Sequence, residues 1–323
     1  MKNYPIKFRP IFKDKVWGGT KLKSFLGKNI QTEKVGESWE ISAVKDDLSI
    51  VSNGIYKGRN ISELIGDFKG KFIGEKVYKK NNGEFPLLFK FIDAADDLSM
   101  QLHPNDKLAR KRHNSFGKTE MWYVLEADVD SKLYAGFKEG VDKKLYKESV
   151  SKGAVVDCLQ VDYVKRGDAF FIAAGTIHAI GKGILLAEIQ QTSDVTYRVY
   201  DWDRLDINGQ YRELHLDLAE DAIDFTKVGS QKCTTSNDQN KINNIFSCSF
   251  FTTNKLKLDC NLTRDFSSLD SFVVYMCVDG NAEIDLSGEV ESINKGEVLL
   301  IPANTAKVVV LVKKRVELLE IYI

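Results

Sequence analysis

Four side chains of types that bind divalent metal ions stand near the ends of short apolar runs: Gln101, His103, Glu120 and His178. Gln101 and His103 are two positions apart, so their side chains share a face if this segment is a strand. Imidazole and carboxylate suit Zn, Fe, Mn or Ni, and an amide adds a neutral oxygen. The spacing favours one metal site, but it also fits hydrogen-bonded structural histidines and a solvated glutamine.

The elements that would position these residues are mostly strands. Short or alternating apolar runs bounded by Gly, Asn and Asp predict β-structure. The predicted strands are Glu40–Val44, Pro86–Ile92, Met121–Leu125, Ala169–Ala173, Leu185–Ile189, Phe272–Val278, Val298–Ile301 and Lys307–Val312.

Helical patterns are fewer. The segment 60–80 opens with Asn60 and Glu63 at the spacing of a capping box, and its apolar residues follow the helical period. Shorter helices are predicted over 105–112 and 212–225. The chain is therefore predicted to be mainly β, with a few short helices.

A ten-residue repeat divides the chain. Residues 167–176 read GDAFFIAAGT and residues 296–305 read GEVLLIPANT, and the polar stretch 226–241 between them resembles a linker. We therefore predict two jelly-roll or β-barrel domains, 1–230 and 231–323. The repeat offset sets His178 against Lys307, so only the N-terminal domain is expected to bind the metal.

Composition excludes several classes of protein. Lys plus Arg and Asp plus Glu number 46 each, so net charge gives no reason to expect nucleic acid or an anionic membrane as a partner. Five cysteines without CxxC spacing argue against a disulfide framework. The N-terminus lacks the apolar core of a signal peptide. These features indicate a soluble, cytoplasmic protein in a reducing compartment.

Three ordered motifs resemble those of type I mannose-6-phosphate isomerase, the phosphomannose isomerase of the cupin superfamily, in its short bacterial form. The segment FPLLFKFIDAADDLSMQLHPND resembles the metal motif of the family, and GKTEMWYVL resembles its Lys-x-Glu motif. The third, AAGTIHAIGKGILLAEIQQTSDVTYRVYDWDR, contains a second His, a Glu and an Arg in the family's order. The N-terminal VWGG and GESWEIS are also similar to the family.

The resemblance implies a cupin fold and the reversible conversion of mannose 6-phosphate to fructose 6-phosphate through a cis-enediol. It implies Gln101, His103, Glu120 and His178 as ligands of one divalent ion, most naturally Zn²⁺. Arg198 matches the active-site arginine of the family, with a planar guanidinium that suits an enediolate or a phosphate.

The remaining candidates are less sharply defined by the sequence. Glu188 matches the acidic residue after the second His and is a candidate for proton transfer. Lys118 and Lys90 match family lysines and are candidates for phosphate binding, ring opening or proton transfer. Trp17 and Trp39 are candidate walls of a sugar pocket, and Glu40 is a candidate partner for sugar hydroxyls.

Two other functions fit parts of the pattern. Two His and one Glu resemble the ligands of non-haem iron oxygenases, although Gln101 and Arg198 favour the isomerase. A double cupin could also bind a sugar or regulate without catalysis. In each case the expected partner is a small molecule, and the chain is expected to be a monomer or a weak homo-oligomer.

Overall fold

The computed structural model describes residues 1–206 and 208–323 and is mainly β, as the sequence predicts. The strands, in chain order, are β1 (Ile6–Lys7), β2 (Ile11–Gly19), β3 (Val35–Ile41), β4 (Leu87–Ala94), β5 (Met100–Leu102), β6 (Glu120–Ala127), β7 (Lys132–Phe137), β8 (Leu159–Tyr163), β9 (Ala169–Ile172), β10 (His178–Ile180), β11 (Ile184–Gln191), β12 (Tyr197–Tyr200), β13 (Ile242–Ser247), β14 (Thr252–Leu258), β15 (Leu262–Asp265), β16 (Val273–Leu286), β17 (Glu289–Asn294), β18 (Val298–Ile301), β19 (Lys307–Leu311) and β20 (Val316–Tyr322).

The helices are short, between four and nine residues each. They are α1 (Lys21–Ser24), α2 (Ile61–Phe68), α3 (Gly70–Ile73), α4 (Glu75–Lys80), α5 (Asp106–His113), α6 (Lys143–Ser151) and α7 (Leu216–Ala222), with one 3₁₀ turn at Val155–Cys158. In the described ranges no helix is long and apolar enough to cross a membrane.

The predicted helix over 60–80 is three helices. Asn60 and Glu63 form the predicted capping box at the start of α2. Lys69 and Gly74 have φ values of +49° and +100° and interrupt the helical backbone. A Cβ at position 74 would lie 2.3 Å from the backbone oxygen of Asp270, so glycine is required there for space as well as for its φ.

Two further predictions need correction. The strand predicted at Glu40–Val44 is β3, which ends at Ile41 because the hydroxyl of Ser42 accepts a hydrogen bond from the Val44 amide and starts a turn. The helix predicted over 212–225 begins only at Leu216. Residues just before it run beside β12, where the His215 amide donates to the Arg198 carbonyl.

The repeat corresponds to a repeated topology. In the described ranges, one sheet has the order β2-β3-β4-β11-β6-β9, and the large sheet contains β13-β14-β20-β16-β18. The strands β4-β11-β6-β9 thus correspond to β14-β20-β16-β18. The offset between the two ten-residue segments also places β9 against β18 (169 and 298) and β10 against β19 (178 and 307).

The second layer repeats in the same way. The order β12-β5-β10-β7-β8 in the first copy has its counterpart in the pairs β15–β19, β19–β16 and β16–β17. The segment 226–241 contains no named strand or helix, in keeping with a linker. The domain boundary at 230 and 231 stays a prediction, and β1 pairs with β18 of the second copy.

The interiors of the two copies differ. Between its layers the second copy is filled by an apolar cluster that includes Leu256, Ile284, Val308 and Leu318. In the first copy, apolar residues such as Trp17, Ile92 and Val124 pack within one part of the interior. The other part is a cavity lined by polar and charged residues. Among the described residues, the candidate metal ligands therefore cluster in the first copy.

Candidate active site

Three predicted metal ligands meet in the first copy. His103 follows β5, Glu120 begins β6 and His178 begins β10, so the two layers of the copy supply them together. One donor atom from each lies within 4.8 Å of the other two, and each residue is about 1% exposed. The described residues contain no second such cluster.

Both histidines are held in the tautomer that a metal needs. His103 Nδ1 lies 2.9 Å from the Val195 carbonyl oxygen, and His178 Nδ1 lies 2.9 Å from the Thr176 carbonyl oxygen. A carbonyl can only accept, so each Nδ1 carries the proton and donates it. The lone pair is therefore on each Nε2, the atom that faces Glu120. Backbone carbonyls in this position fix the orientation of histidine ligands.

The protonation states also suit a cation. Burial and the neighbouring Lys118 together lower the pKa of His103 to about 4, and burial lowers the pKa of His178. Both rings are thus neutral near pH 7. Burial alone would raise the pKa of Glu120, but Lys118 and His103 lower it well below its usual value, so this carboxylate is ionised.

The cluster has unsatisfied donor atoms. Both carboxylate oxygens of Glu120 and Nε2 of His178 are buried and have no hydrogen-bond partner among the described residues. Such atoms are costly unless something pairs with them. Two neutral imidazoles and a carboxylate form a donor set for a divalent transition metal, so the residues present fit a metal ion.

Lys118 lies against this cluster. Its Nζ is 2.7 Å from Glu120 Oε1, an ion pair without hydrogen-bond geometry, and 3.1 Å from His103 Nε2. The lysine is about 5% exposed.

Gln101 lies beside the cluster on β5. Its Cα pairs with that of His178 on β10 and with that of Arg198 on β12. Directly opposed residues in a sheet point to the same face, so the three side chains share one face. The side-chain amide oxygen Oε1 of Gln101 accepts a hydrogen bond from Ser99 Oγ at 3.1 Å.

A cavity of about 350 Å³ opens beside these residues between the two layers of the first copy. Of the predicted substrate and catalytic residues, those that line the cavity are Trp17, Trp39, Lys90, Gln101, Lys118, His178, Glu188 and Arg198. His103 and Glu120 lie behind the lining, in contact with Lys118 and His178.

The cavity wall opposite the β5 face carries an ion-pair network. Glu188 on β11 is directly opposed to Lys90 on β4 and to Trp122 on β6. Glu188 Oε1 is 3.0 Å from Lys90 Nζ, and its other oxygen accepts a 2.9 Å hydrogen bond from Trp122 Nε1. Burial alone would lower the pKa of Lys90, but Glu188 and Glu37 raise it overall, so Lys90 is a cation.

Glu40 is not part of the cavity. Its carboxylate forms an ion pair with Lys28 at 2.6 Å and accepts from Ser38 Oγ. Trp39 lines the cavity, and side chains alternate along β3, so its neighbour Glu40 lies on the other face. The prediction that Glu40 contacts the sugar therefore does not fit the structure.

Sequence reasoning missed Glu37, which takes the place expected for Glu40. Glu37 is two residues before Trp39, accepts a 2.6 Å hydrogen bond from its indole, and lies between Lys15 and Lys90. The strand period in GESWEIS could have found it. Trp122 also lines the cavity and could have been found in the same way, because it is two residues after Glu120. Arg212 lines the cavity too, and nothing in the sequence singled it out.

Comparisons with known proteins agree with this site. The chain is 35% identical to mannose-6-phosphate isomerase ManA of Bacillus subtilis, over 94% of each chain. It is 36% identical to mannose-6-phosphate isomerase of Streptococcus mutans, over 91% of this chain and 90% of the other. A crystal structure of the mannose 6-phosphate isomerase from Bacillus subtilis superposes with a TM-score of 0.89 at 30% identity, covering 99% of this chain and 100% of the other.

Family models match both copies. The phosphomannose isomerase type I catalytic domain matches residues 6–134, and the mannose-6-phosphate isomerase cupin domain matches residues 241–318. The fold and the His-Glu-His cluster thus define a cupin protein with a candidate metal site in its first copy. The chain belongs to the type I phosphomannose isomerase family, which confirms the resemblance drawn from the motifs.

Proposed function

We propose that this protein is a metal-dependent aldose-ketose isomerase that interconverts mannose 6-phosphate and fructose 6-phosphate through a cis-enediol. Family membership supports the activity. The observation that carries the proposal is the juxtaposition, in one cavity, of a His-Glu-His metal cluster and the Glu188–Lys90 pair. Aldose and ketose differ by a proton moved between C2 and C1, and these groups supply a carboxylate and fixed positive charge for that transfer.

We assign the metal to His103, Glu120 and His178, with Gln101 as a fourth ligand. Gln101 is included because its side chain shares a face with His178 on the adjacent strand. A donor set of two imidazoles, one carboxylate and one amide oxygen suits Zn²⁺. When bound, the ion would polarise the sugar oxygens and stabilise negative charge that develops on them.

Glu188 is the residue we assign to proton transfer. It is about 3% exposed, and its carboxylate is oriented by the Trp122 indole and the Lys90 ammonium. A positioned carboxylate can accept a proton from one carbon and return it to the next. The raised pKa of Lys90 keeps this lysine protonated, so it serves as a fixed cation beside Glu188 and not as the base.

The remaining cavity residues bind and orient the sugar. Trp17 and Trp39 form apolar parts of the wall. Lys118 lies beside the metal cluster, where its ammonium can donate a proton to a ring oxygen during ring opening. Arg198, across Gln101 from His178, contributes positive charge for an anionic part of the substrate.

A coupled assay tests the proposal. The metal-loaded protein is expected to convert mannose 6-phosphate, to lose this activity with a chelator, and to regain it with Zn²⁺. Activity that requires Fe(II) and oxygen would instead indicate an oxygenase. Binding of sugar phosphate without interconversion at full metal loading would indicate a binding or regulatory protein, a function that the comparisons do not support.

Three properties inferred from the sequence alone stay predictions. They are the cytoplasmic location, the monomeric or weakly associated state, and the domain division at 230 and 231. Among the described residues all five cysteines are free thiols, which agrees with a reducing compartment.

A further inference from the structure

The mouth of the cavity contains a second arginine, Arg212, which neither the motifs nor the proposed reaction uses. It lies after β12, on a segment that turns back at the bridge between Leu205 and Tyr211. The His215 amide donates to the Arg198 carbonyl, and Arg198 Nη1 donates to the Glu213 carbonyl. The returning segment is thereby fastened to β12, and Arg198 and Arg212 both line the cavity.

Arg212 is held in place by one buried carboxylate. Its Nε and Nη2 donate to the two oxygens of Asp201 at 2.6 and 2.5 Å, in a bidentate pair. Asp201 is about 6% exposed. This contact uses one edge of the guanidinium, and Nη1 of Arg212 donates to no protein atom in the described part of the chain. The paired edge fixes the plane of the side chain, so the other edge is presented in a defined direction.

Three guanidinium groups, those of Arg198, Arg204 and Arg212, lie near the buried carboxylate of Asp201. Arg204 donates to Asp201 at 3.1 Å and to the exposed Asp96 at 3.2 Å, whereas Arg198 forms no ion pair with a carboxylate among the described residues. Arg198 Nε is buried and has no hydrogen-bond partner among the described residues. Arginines do not lose their charge near neutral pH, so the unpaired donors favour an anion.

The arginines are at a suitable distance from the metal cluster. Arg198, Gln101 and His178 are opposed in register on the neighbouring strands β12, β5 and β10. Two strand spacings separate the backbone of Arg198 from that of His178 by about 10 Å. In an open-chain hexose 6-phosphate, the phosphate is at the opposite end of the carbon chain from C1 and C2. A substrate with C1 and C2 near the cluster is therefore long enough for its phosphate to reach the side chains on β12.

We propose that Arg198 and Arg212 together bind the phosphate group of the substrate, and that Asp201 is a positioning residue that orients Arg212. This inference rests on the proposed function for the identity of the substrate. It adds a specificity-determining residue, because an unphosphorylated sugar offers no phosphate anion for these charge-assisted hydrogen bonds.

The test compares metal-loaded wild type with Arg212→Gln, measuring kcat, KM for mannose 6-phosphate and competitive inhibition by inorganic phosphate. Loss of charge-assisted hydrogen bonds predicts a KM about 10- to 100-fold higher, with weaker phosphate inhibition and kcat within about threefold. Asp201→Asn is expected to raise KM in the same way. A matched control is Arg59→Gln, because Arg59 pairs with Asp67 at 2.6 Å and does not line the cavity.

The proposal is overturned if Arg212→Gln keeps KM and phosphate inhibition within twofold of wild type, or if Arg59→Gln changes them equally. If Arg212→Gln does not fold, Arg212→Lys retains a cation beside Asp201 but loses the fork, and it is expected to raise KM as well. Phosphate binding measured by calorimetry separates the two proposals. Absent turnover with phosphate binding that depends on Arg212 would refute the isomerase function and retain the phosphate site.

Discussion

Glu188 and Lys90 face each other across two neighbouring strands, and their Oε1 and Nζ atoms are 3.0 Å apart inside the cavity. The same register recurs in the second copy with other residues. Glu320 is opposed to Asn254 and Tyr275, as Glu188 is opposed to Lys90 and Trp122. There the carboxylate is saturated: Arg264 donates to both its oxygens at 2.8 and 2.9 Å. The same position in the two copies therefore holds a carboxylate that lines a cavity, Glu188, and a carboxylate that is fully paired inside the protein, Glu320.

The first prediction concerns Glu188→Gln. Removing the carboxylate that moves the proton should lower kcat by a factor of about 100 or more, the contribution typical of a positioned general base. Metal content, measured by elemental analysis, should stay at the wild-type level because Glu188 is not one of the proposed metal ligands. A variant that turns over at close to the wild-type rate would exclude Glu188 from proton transfer.

The second prediction uses the counterpart, Glu320→Gln. The change removes one partner of a buried ion pair with Arg264 and should lower the free energy of unfolding by about 3 kcal/mol. Urea denaturation measures this loss. At temperatures where the variant is folded, kcat and KM should match wild type, because the described ligand cluster lies in the other copy. A large loss of kcat in the folded variant would contradict a purely structural role.

The third prediction concerns Glu120→Gln, which replaces the only acidic member of the ligand cluster by an amide. Metal affinity should fall by more than the roughly 10- to 100-fold typical when a residue behind a ligand is lost. Dialysis against a calibrated chelator measures the affinity. Glu40→Gln is the matched control, a buried carboxylate whose partners are Lys28 and Ser38. It should retain both the metal and KM, and a raised KM would restore Glu40 as a sugar contact.

The fourth prediction is a pH dependence of stability. Burial alone would raise the pKa of Glu37, but Lys90 and Lys15 lower it to about 2 from an ordinary value of 4.5. A lowered carboxylate pKa stabilises the fold above pH 4.5, and this contribution is lost as pH falls from 4.5 towards 2. The full contribution is about 3 kcal/mol. The exposed Glu33→Gln is the control.

Denaturation of the metal-free protein between pH 5 and about 3 tests the Glu37 prediction, because the linkage changes most below the ordinary pKa. As the pH is lowered, the free energy of unfolding should decrease less steeply in Glu37→Gln than in wild type or Glu33→Gln. Identical slopes in all three proteins would show that Glu37 is not held ionised by the lysines.

The ligand cluster could be predicted from the sequence because its residues occur in ordered motifs at the ends of strands. His103, Glu120 and His178 come together as predicted. The repeat was also readable, since Gly167 and Gly296 both adopt positive φ, at +89° and +84°, just before equivalent strands. Glycine at such turns leaves a strong signal in the sequence.

The parts that sequence reasoning missed depend on strand register and on distant pairing. The predicted strand began at Glu40 and left Glu37 outside it, whereas in β3 (Val35–Ile41) Glu37 and Trp39 share one face and Glu40 lies on the other, because the side-chain period of a strand is two. Arg212 reaches the cavity only because its segment returns along β12 and pairs with Asp201. The strand period could have shown Glu37, whereas the return of the Arg212 segment has no local pattern that would predict it.

The most direct measurement is proton NMR of the metal-loaded protein incubated in D₂O with mannose 6-phosphate and, separately, with fructose 6-phosphate. The proposed isomerase should bring both reactions to the same mixture, with deuterium appearing at C1 of the ketose or C2 of the aldose wherever the transferred proton exchanges with solvent. A folded protein with one metal ion per chain that leaves both sugar phosphates unchanged would contradict the proposed function.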